Sequence, residues 1–350
     1  MVAEKHELKP LSNISFEIKF KWTLRMLTEL LGIPKKHLRR AFKILQDPRL
    51  EADILEKGKP IKRGFHYGFR TFFLTKKEKK REILAPHPDV QTIFKGIKNW
   101  LEAANTAHRN AFGFVKNKNP KKAVQALQGN KHFVGFDVVN AFPSITIQMV
   151  KASLKKLDIN EAVSDVLATL VTYYYQRARR LPQGASCSPV FLNLVYKPMC
   201  DEMEAICQKM DVKWNVYVDD FNFAASEISP ELKKELLAVP TKYGFQVKQE
   251  KTRDNLGKTV PHLLGLTLVD NKIHIKRRLK KKFRRIMYAA RKGIYSPEQV
   301  LGVGEYLKHI YGEHDNWPGW LLKPYDQYQA ERGFDELSGF FGAKAAAPKP

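Results

Sequence analysis

Tyr217-Val218-Asp219-Asp220 sets two carboxylates side by side between two short strand-like runs, Lys213–Val218 and Phe221–Ala225. Adjacent carboxylates between apolar segments are costly to bury without a counter-charge, so solvent or a cation has to satisfy them. Neighbouring side chains on a strand point to opposite faces, so only a tight turn brings both to one place. A third carboxylate, Asp137, ends the apolar run Phe133–Phe136. An acid there can ligate a metal or cap the helix that follows. Three such aspartates suit phosphoryl transfer, in which two hard cations roughly 3.5–4 Å apart hold an attacking hydroxyl and a triphosphate. Magnesium in particular binds a few carboxylates together with phosphate oxygens. Taken alone, the Asp-Asp pair also reads as a solvated hairpin turn.

The elements that must position these groups are legible in outline. Phe20–Leu45 predicts two helices split at Gly32-Ile33-Pro34, with Leu24, Leu27, Leu30 and Leu31 at helical spacing. Lys57–Arg63 is basic, contains Gly58 and Pro60, and predicts a loop. The aromatic run Tyr67–Leu74, a basic turn through Arg81 and the apolar Ile83-Leu84-Ala85 predict a hairpin ended by Pro86 and Pro88. Gln91–Ala107 reads as a helix, Asn110–Lys122 as a basic loop region and Phe133–Val139 as a buried strand. Helices are expected over Gln148–Leu157, Glu161–Tyr175, Val190–Lys209 and Glu231–Tyr243, and a hairpin over Leu263–Leu268 and Lys272–Ile275. Lys276–Lys292 predicts a helix in which ten of 17 residues are Lys or Arg and none is acidic. Leu279, Phe283, Ile286 and Ala290 share one face of it, so it can pack while its other faces stay charged. The low-complexity end from Ala343 to Pro350 is expected to be disordered.

Charge narrows the partners. The 350 residues hold 61 Lys and Arg against 36 Asp and Glu, a net charge of +25. A surplus that large attracts a polyanion, either nucleic acid or an anionic membrane face. The longest apolar stretch, Val166–Tyr175, is about half of what a membrane span needs, and Met1–Pro10 carries charges and no apolar core. Nucleic acid is therefore the expected partner, with no membrane and a cytoplasmic location. Three cysteines without a C-x-x-C pair argue against a zinc ribbon and fit a reducing compartment.

Taken together and in this order, the motifs resemble those of reverse transcriptases, particularly the retron and group II intron branch of bacteria, over about Tyr67–Leu307. Phe136-Asp137 looks like the family's first metal motif and Tyr217-Val218-Asp219-Asp220 like its second; the resemblance adds Val138 to the metal set. Phe142, five residues after Asp137, matches the bulky position that excludes a ribose 2′-hydroxyl. Leu181-Pro182-Gln183-Gly184-Ala185-Ser186-Cys187-Ser188-Pro189 resembles the family's L-P-Q-G-x-x-x-S-P loop, which puts Gln183 and Gly184 near the incoming nucleotide and template. Lys76 and Arg81 match the finger hairpin that grips the triphosphate. Gly244-Phe245-x-Val247-x-x-x-Lys251 resembles the motif whose lysine approaches the pyrophosphate, and Leu264-Gly265 the turn that grips the primer end. Phe112-Gly113-Phe114 looks like a short signature upstream of the first metal motif.

The resemblance implies an α+β right-hand polymerase with fingers, an antiparallel-sheet palm and a helical thumb. It divides the chain into an N-terminal helical region (1–60), fingers (61–130), palm (131–270, with finger-like helices in 148–180), thumb (271–340) and a disordered tail (341–350). The implied activity is RNA-directed DNA synthesis, catalysed by Asp137, Asp219 and Asp220 with two Mg2+ ions. Implied partners are an RNA template, a DNA or RNA primer and deoxynucleoside triphosphates, with an effector protein in a retron or anti-phage defence setting. Arg277, Arg278, Lys281, Arg284 and Arg285 of the basic helix would track a template–primer duplex. Two other readings stay open on the same motifs: an untemplated or RNA-synthesising polymerase, and a catalytically silent RNA-binding scaffold.

Overall fold

The computed structural model describes residues 16–47, 49–56, 59–76, 79–175 and 178–332. The expected disordered tail, 341–350, lies outside the described residues. Contacts divide the chain into two units: the described residues up to Asn119 with His132–Asp254, and Pro120–Lys131 with the described residues from Asn255 onward.

The first unit opens with helices α1 (Phe16–Leu31) and α2 (Lys35–Gln46), parted at Gly32-Ile33-Pro34 as expected. Two hairpins follow, β1 (Leu50–Glu56) with β2 (Lys59–Phe65) and β3 (Phe69–Lys76) with β4 (Lys79–Pro86), then α3 (Pro88–Ala103). Past α4 (Pro120–Gln125), which belongs to the other unit, come β5 (His132–Asp137), α5 (Ala141–Ser144), α6 (Ile147–Lys155) and α7 (Glu161–Val171). The hairpin β6 (Tyr173–Tyr175) with β7 (Ala178–Arg180) leads to the long α8 (Ser188–Lys209). The unit closes with β8 (Lys213–Tyr217), β9 (Asp220–Ala225), α9 (Pro230–Lys242) and β10 (Arg253–Asp254).

Its central sheet is antiparallel in the order β10-β5-β9-β8. Both β5 and β9 are buried almost throughout, which is why each reads as a near-continuous apolar run rather than an alternating one. Phe136 stacks on its cross-strand partner Phe221 at 5.1 Å between ring centroids, and Trp214 stacks on Phe223 at 6.2 Å. Tyr196 of α8 meets Phe221 and Phe245, so α8 is the pillar on which this sheet rests.

The second unit joins α4 to a three-stranded antiparallel sheet, β11 (His262–Leu263), β12 (Leu266–Val269) and β13 (Lys272–Ile275). Three helices complete it: α10 (Arg277–Arg291), α11 (Pro297–Tyr311) and α12 (Gly319–Arg332). Phe283, Ile286, Met287 and Ala290 of α10 are buried against its neighbours. By contact, residues 255–270 cluster with α10–α12.

Two local expectations are corrected. Of the loop expected over Lys57–Arg63, Lys57 and Gly58 lie outside the described residues, and Lys59–Arg63 is strand instead, because Lys59–Phe65 forms β2 in register with β1, Ile61 opposite Ile54. Pairing overrides the poor strand propensity of Pro60 and Gly64. The helix expected over Glu161–Tyr175 stops at Val171, and Tyr173–Tyr175 turns into a strand. Arg179 Nη1 donates to the carbonyl oxygens of Thr169 and Thr172 at 2.9 and 3.0 Å, occupying acceptors that a continued helix would have used.

Candidate active site

Asp137 ends β5 and is the direct cross-strand partner of Asp220, which begins β9. Asp220 in turn pairs with Tyr217 at the end of β8, leaving Val218 and Asp219 as a two-residue turn. Val218 takes φ +64°, a conformation that hairpins ordinarily give to glycine and that costs a β-branched residue strain. The surroundings fix it there. Val138 N donates to Asp219 O at 2.8 Å, Phe112 N to Val216 O at 2.8 Å, and Val216 N to Asn110 O at 2.9 Å. Gly113 lies beneath the turn, where an added Cβ would sit 2.5 Å from Val218 N. Asn193, buried on α8, donates to Gly113 O at 3.0 Å and so ties this floor to the pillar helix. The role of Gly113 is visible only in three dimensions.

The carboxylates differ in environment. Asp219 is pushed above the ordinary carboxylate range by burial and by the charge of Asp137, against the pull of Lys248 and Lys251. Asp220 is pushed up to about 6, chiefly by burial, with Asp137 and Asp219 adding to it and Arg253 opposing it. Arg253 forms an ion pair with Asp220 and also donates to Asn222 Oδ1 at 3.2 Å. Lys251 Nζ stands 3.4 Å from Asp137 Oδ1, so the lysine that the motif places near a pyrophosphate touches the first aspartate here. Lys248 N donates to Asp137 O at 2.9 Å, and Val138 bridges to Val247, so this segment is strapped along β5.

The three aspartates that the sequence offers as metal ligands meet at one end of the sheet, and Asp220 differs from the other two. Among the described residues no group of three His, Cys, Asp or Glu side chains is arranged to hold a metal ion. The backbones of Asp137, Asp219 and Asp220 converge, but the Asp220 carboxylate is engaged by Arg253. Asp137 and Asp219 supply hard oxygen donors whose mutual repulsion a divalent cation would relieve, so that pair fits such an ion.

The remaining candidates fall into groups. The loop carrying Gln183 and Gly184 is bound to β4, with Leu84 N donating to Gln183 O at 2.8 Å. Gly184 has φ +126°, and a Cβ there would meet Leu84 O at 2.8 Å, so both conformation and space demand glycine. Arg81 is exposed on β4 opposite Leu74; Lys76 ends β3, and its side chain lies outside the described residues. Half-buried Phe142 sits on α5, reached from Asp137 through Asn140 at φ +46°. Arg180 Nη1 holds that short helix by donating to Pro143 O at 3.0 Å. Leu264 and Gly265, at φ +52° and +82°, form the two-residue turn between β11 and β12. Arg277, Arg278, Lys281, Arg284 and Arg285 are exposed on α10. These last groups belong to the second unit.

The sequence did not single out Arg253, Asn222 or Gly135. The only hint was an isolated glycine inside an apolar strand, a common mark of close approach by a neighbour.

The chain is similar in sequence to known proteins. Residues 74–268 match the family described as reverse transcriptase (RNA-dependent DNA polymerase). The chain is 26% identical over 215 residues to the retron Mx162 reverse transcriptase of Myxococcus xanthus, covering 54% of this chain and 44% of that protein. It is 22% identical over 224 residues to the retron Ec86 reverse transcriptase of Escherichia coli, covering 62% and 68%. It thus spans about half to two thirds of the length of these relatives. Telomerase from Candida albicans superposes with a TM-score of 0.48 at 11% identity, over 87% of this chain and 68% of that one. With its matched segment covering more than half of its length, and the aspartate motifs inside that segment, the chain belongs to the reverse transcriptase family.

Proposed function

We propose that this chain is an RNA-directed DNA polymerase of the bacterial retron type, extending a primer hydroxyl along an RNA template. One observation carries the reading: the register of β5, β9 and β8 gathers Asp137, Asp219 and Asp220 at one end of a sheet from distant parts of the chain. The names of the curated relatives support the retron branch.

Asp137 and Asp219 are the proposed metal ligands, with Val138 beside them as the resemblance implies and Asp220 held by Arg253. Bound Mg2+ would supply acidity for the primer hydroxyl and neutralise triphosphate charge. The protein's own groups do the rest. Lys76 and Arg81 on the β3–β4 hairpin meet the triphosphate, Arg offering a bidentate fork to its oxygens. Gln183 and Gly184 let the backbone come close to the nucleotide and template. Phe142, fixed on α5, excludes the ribose 2′-hydroxyl and selects deoxynucleotides. Lys251 stabilises charge leaving with pyrophosphate. In this reading 61–130 serve as fingers, 131–270 as palm with 148–180 as finger-like helices, and 271–340 as thumb. Leu264-Gly265 grips the primer end. The reading extends to a cognate RNA, an effector protein in defence and a cytoplasmic setting. Among the described residues no helix is long and apolar enough to cross a membrane.

The test is Asp219→Asn. Primer extension on an RNA template is expected to fall at least a thousandfold, while binding of the same RNA in a gel-shift assay stays within about twofold. Extension at the wild-type rate would refute the assignment.

A further inference from the structure

Arg253 reaches the Asp220 carboxylate by crossing a strand. It stands on β10, paired with Gly135 of β5, while Asp220 and Asn222 stand on β9 beyond. The guanidinium passes over β5 at Gly135 and bonds both Asp220 and Asn222, the latter at 3.2 Å. A Cβ at position 135 would lie 2.5 Å from Arg253 Nη2 and 3.0 Å from Phe221 O, so glycine alone leaves the crossing open. Asn222 is buried and donates to Asp220 O at 3.2 Å, so it fixes the second acceptor that Arg253 Nη2 meets. Lys251, by contrast, is exposed and only 3.4 Å from Asp137.

We propose that Arg253 is a positioning residue that, through the opening at Gly135, holds the Asp220 carboxylate away from the Asp137–Asp219 pair and thereby sets how strongly that pair binds a divalent cation. The inference rests on the reading of Asp137 and Asp219 as cation ligands. Both bonds leave from Nη2, whose two N–H groups lie in the rigid guanidinium plane, so they set the direction of the side chain as well as its charge, whereas an ammonium on a flexible stem is held less firmly. Releasing Asp220 adds an anionic oxygen donor beside the pair and removes a positive charge from it. Both changes strengthen cation binding, while Asp220 loses the orientation that turnover uses.

The measurement is Mn2+ binding by isothermal titration calorimetry, without nucleotide or nucleic acid, on the full chain. Arg253→Gln is expected to tighten Mn2+ binding at least threefold, and Gly135→Ala to do the same with the arginine retained. Arg253→Gln on an Asp220→Asn background is expected to produce a clearly smaller shift, from the lost positive charge alone. In primer extension, Arg253→Gln should lower kcat at least tenfold with KM for deoxynucleotide within twofold. Unchanged Mn2+ affinity in both single variants, or an equal shift in the Asp220→Asn background, overturns the proposal. If Arg253→Gln lacks a cooperative thermal transition, Arg253→Lys decides: intermediate tightening supports the role and wild-type affinity overturns it. Asp137→Asn and Asp219→Asn variants that bind Mn2+ like the wild type would instead overturn the cation-site reading itself.

Discussion

Val218 holds a left-handed conformation without being glycine, and Gly113 supplies the room that makes this possible. Backbone strain of this kind costs on the order of 1–3 kcal/mol and persists only where the surroundings over-determine it. Here they do so through the bonds from Phe112 to Val216 and from Val138 to Asp219, together with the floor at Gly113. Gly113→Ala would set a methyl group 2.5 Å from Val218 N, which is backbone and cannot rotate aside. Overpacking against backbone destabilises by about 1–3 kcal/mol. Denaturant unfolding should show that loss, and primer extension should fall more than stability alone explains, because the turn carrying Asp219 moves. Wild-type values in both would remove Gly113 from the site. Asp137, Asp219 and Asp220 were legible beforehand because phosphoryl transfer demands oxygen donors and the strand-end motifs announce them. Gly113 was legible only as part of the Phe112-Gly113-Phe114 signature, without its role beneath the turn, and Arg253 was not legible at all. What they do depends on which distant backbone lies next to them, and no local pattern of residue types encodes that.

The same contrast holds for the elements. The helices at Phe16–Gln46, α8 and α10 were readable because their apolar residues recur at helical spacing or their charges leave one apolar face. The β2 strand and the end of α7 were misread where pairing and capping decided against composition: β2 by its register with β1, and α7 by the Arg179 contacts. The pillar α8 also bears on the cysteines, all of which are buried at its start or within it. Burial pushes the Cys187 and Cys200 thiols far above their usual range and Cys207 up to about 12. The thiolate is the reactive species, so at pH 8 each thiol is almost wholly in its inert form. Native protein should therefore release no chromophore from a disulfide reagent such as Ellman's over several minutes at pH 8. Three equivalents should appear once guanidinium unfolds the chain. A fast-reacting thiol in the native state would mean that α8 is not packed as described.

Across the whole molecule the +25 net charge is unevenly spent, and α10 with its flanks holds ten of the 61 basic residues. Burial divides this helix in two. Phe283, Ile286, Met287 and Ala290 pack inward, while Arg277, Arg278, Lys281 and Arg285 face outward. Lys280 and Arg284 lie between, their cationic groups 4.1 and 5.4 Å from the centre of the Trp320 ring on α12. The two sets should answer differently to mutation. Each lysine or arginine that neutralises a phosphate contributes about 0.9 to the slope of log affinity against log salt for a duplex. Replacing Arg277, Arg278, Lys281 and Arg285 by Gln together should then flatten the slope for an RNA–DNA duplex by about 3–4 units if all four meet phosphates. The loss should be the same for unrelated duplex sequences, and the thermal midpoint should not move, because the packed face is untouched. Lys280→Gln should do the reverse, removing a cation over an aromatic face worth about 0.5–1 kcal/mol while leaving most of the salt slope in place. An unchanged slope in the fourfold variant would leave the charge of α10 without a nucleic-acid role and send the search for the duplex contact to other basic surfaces of the chain.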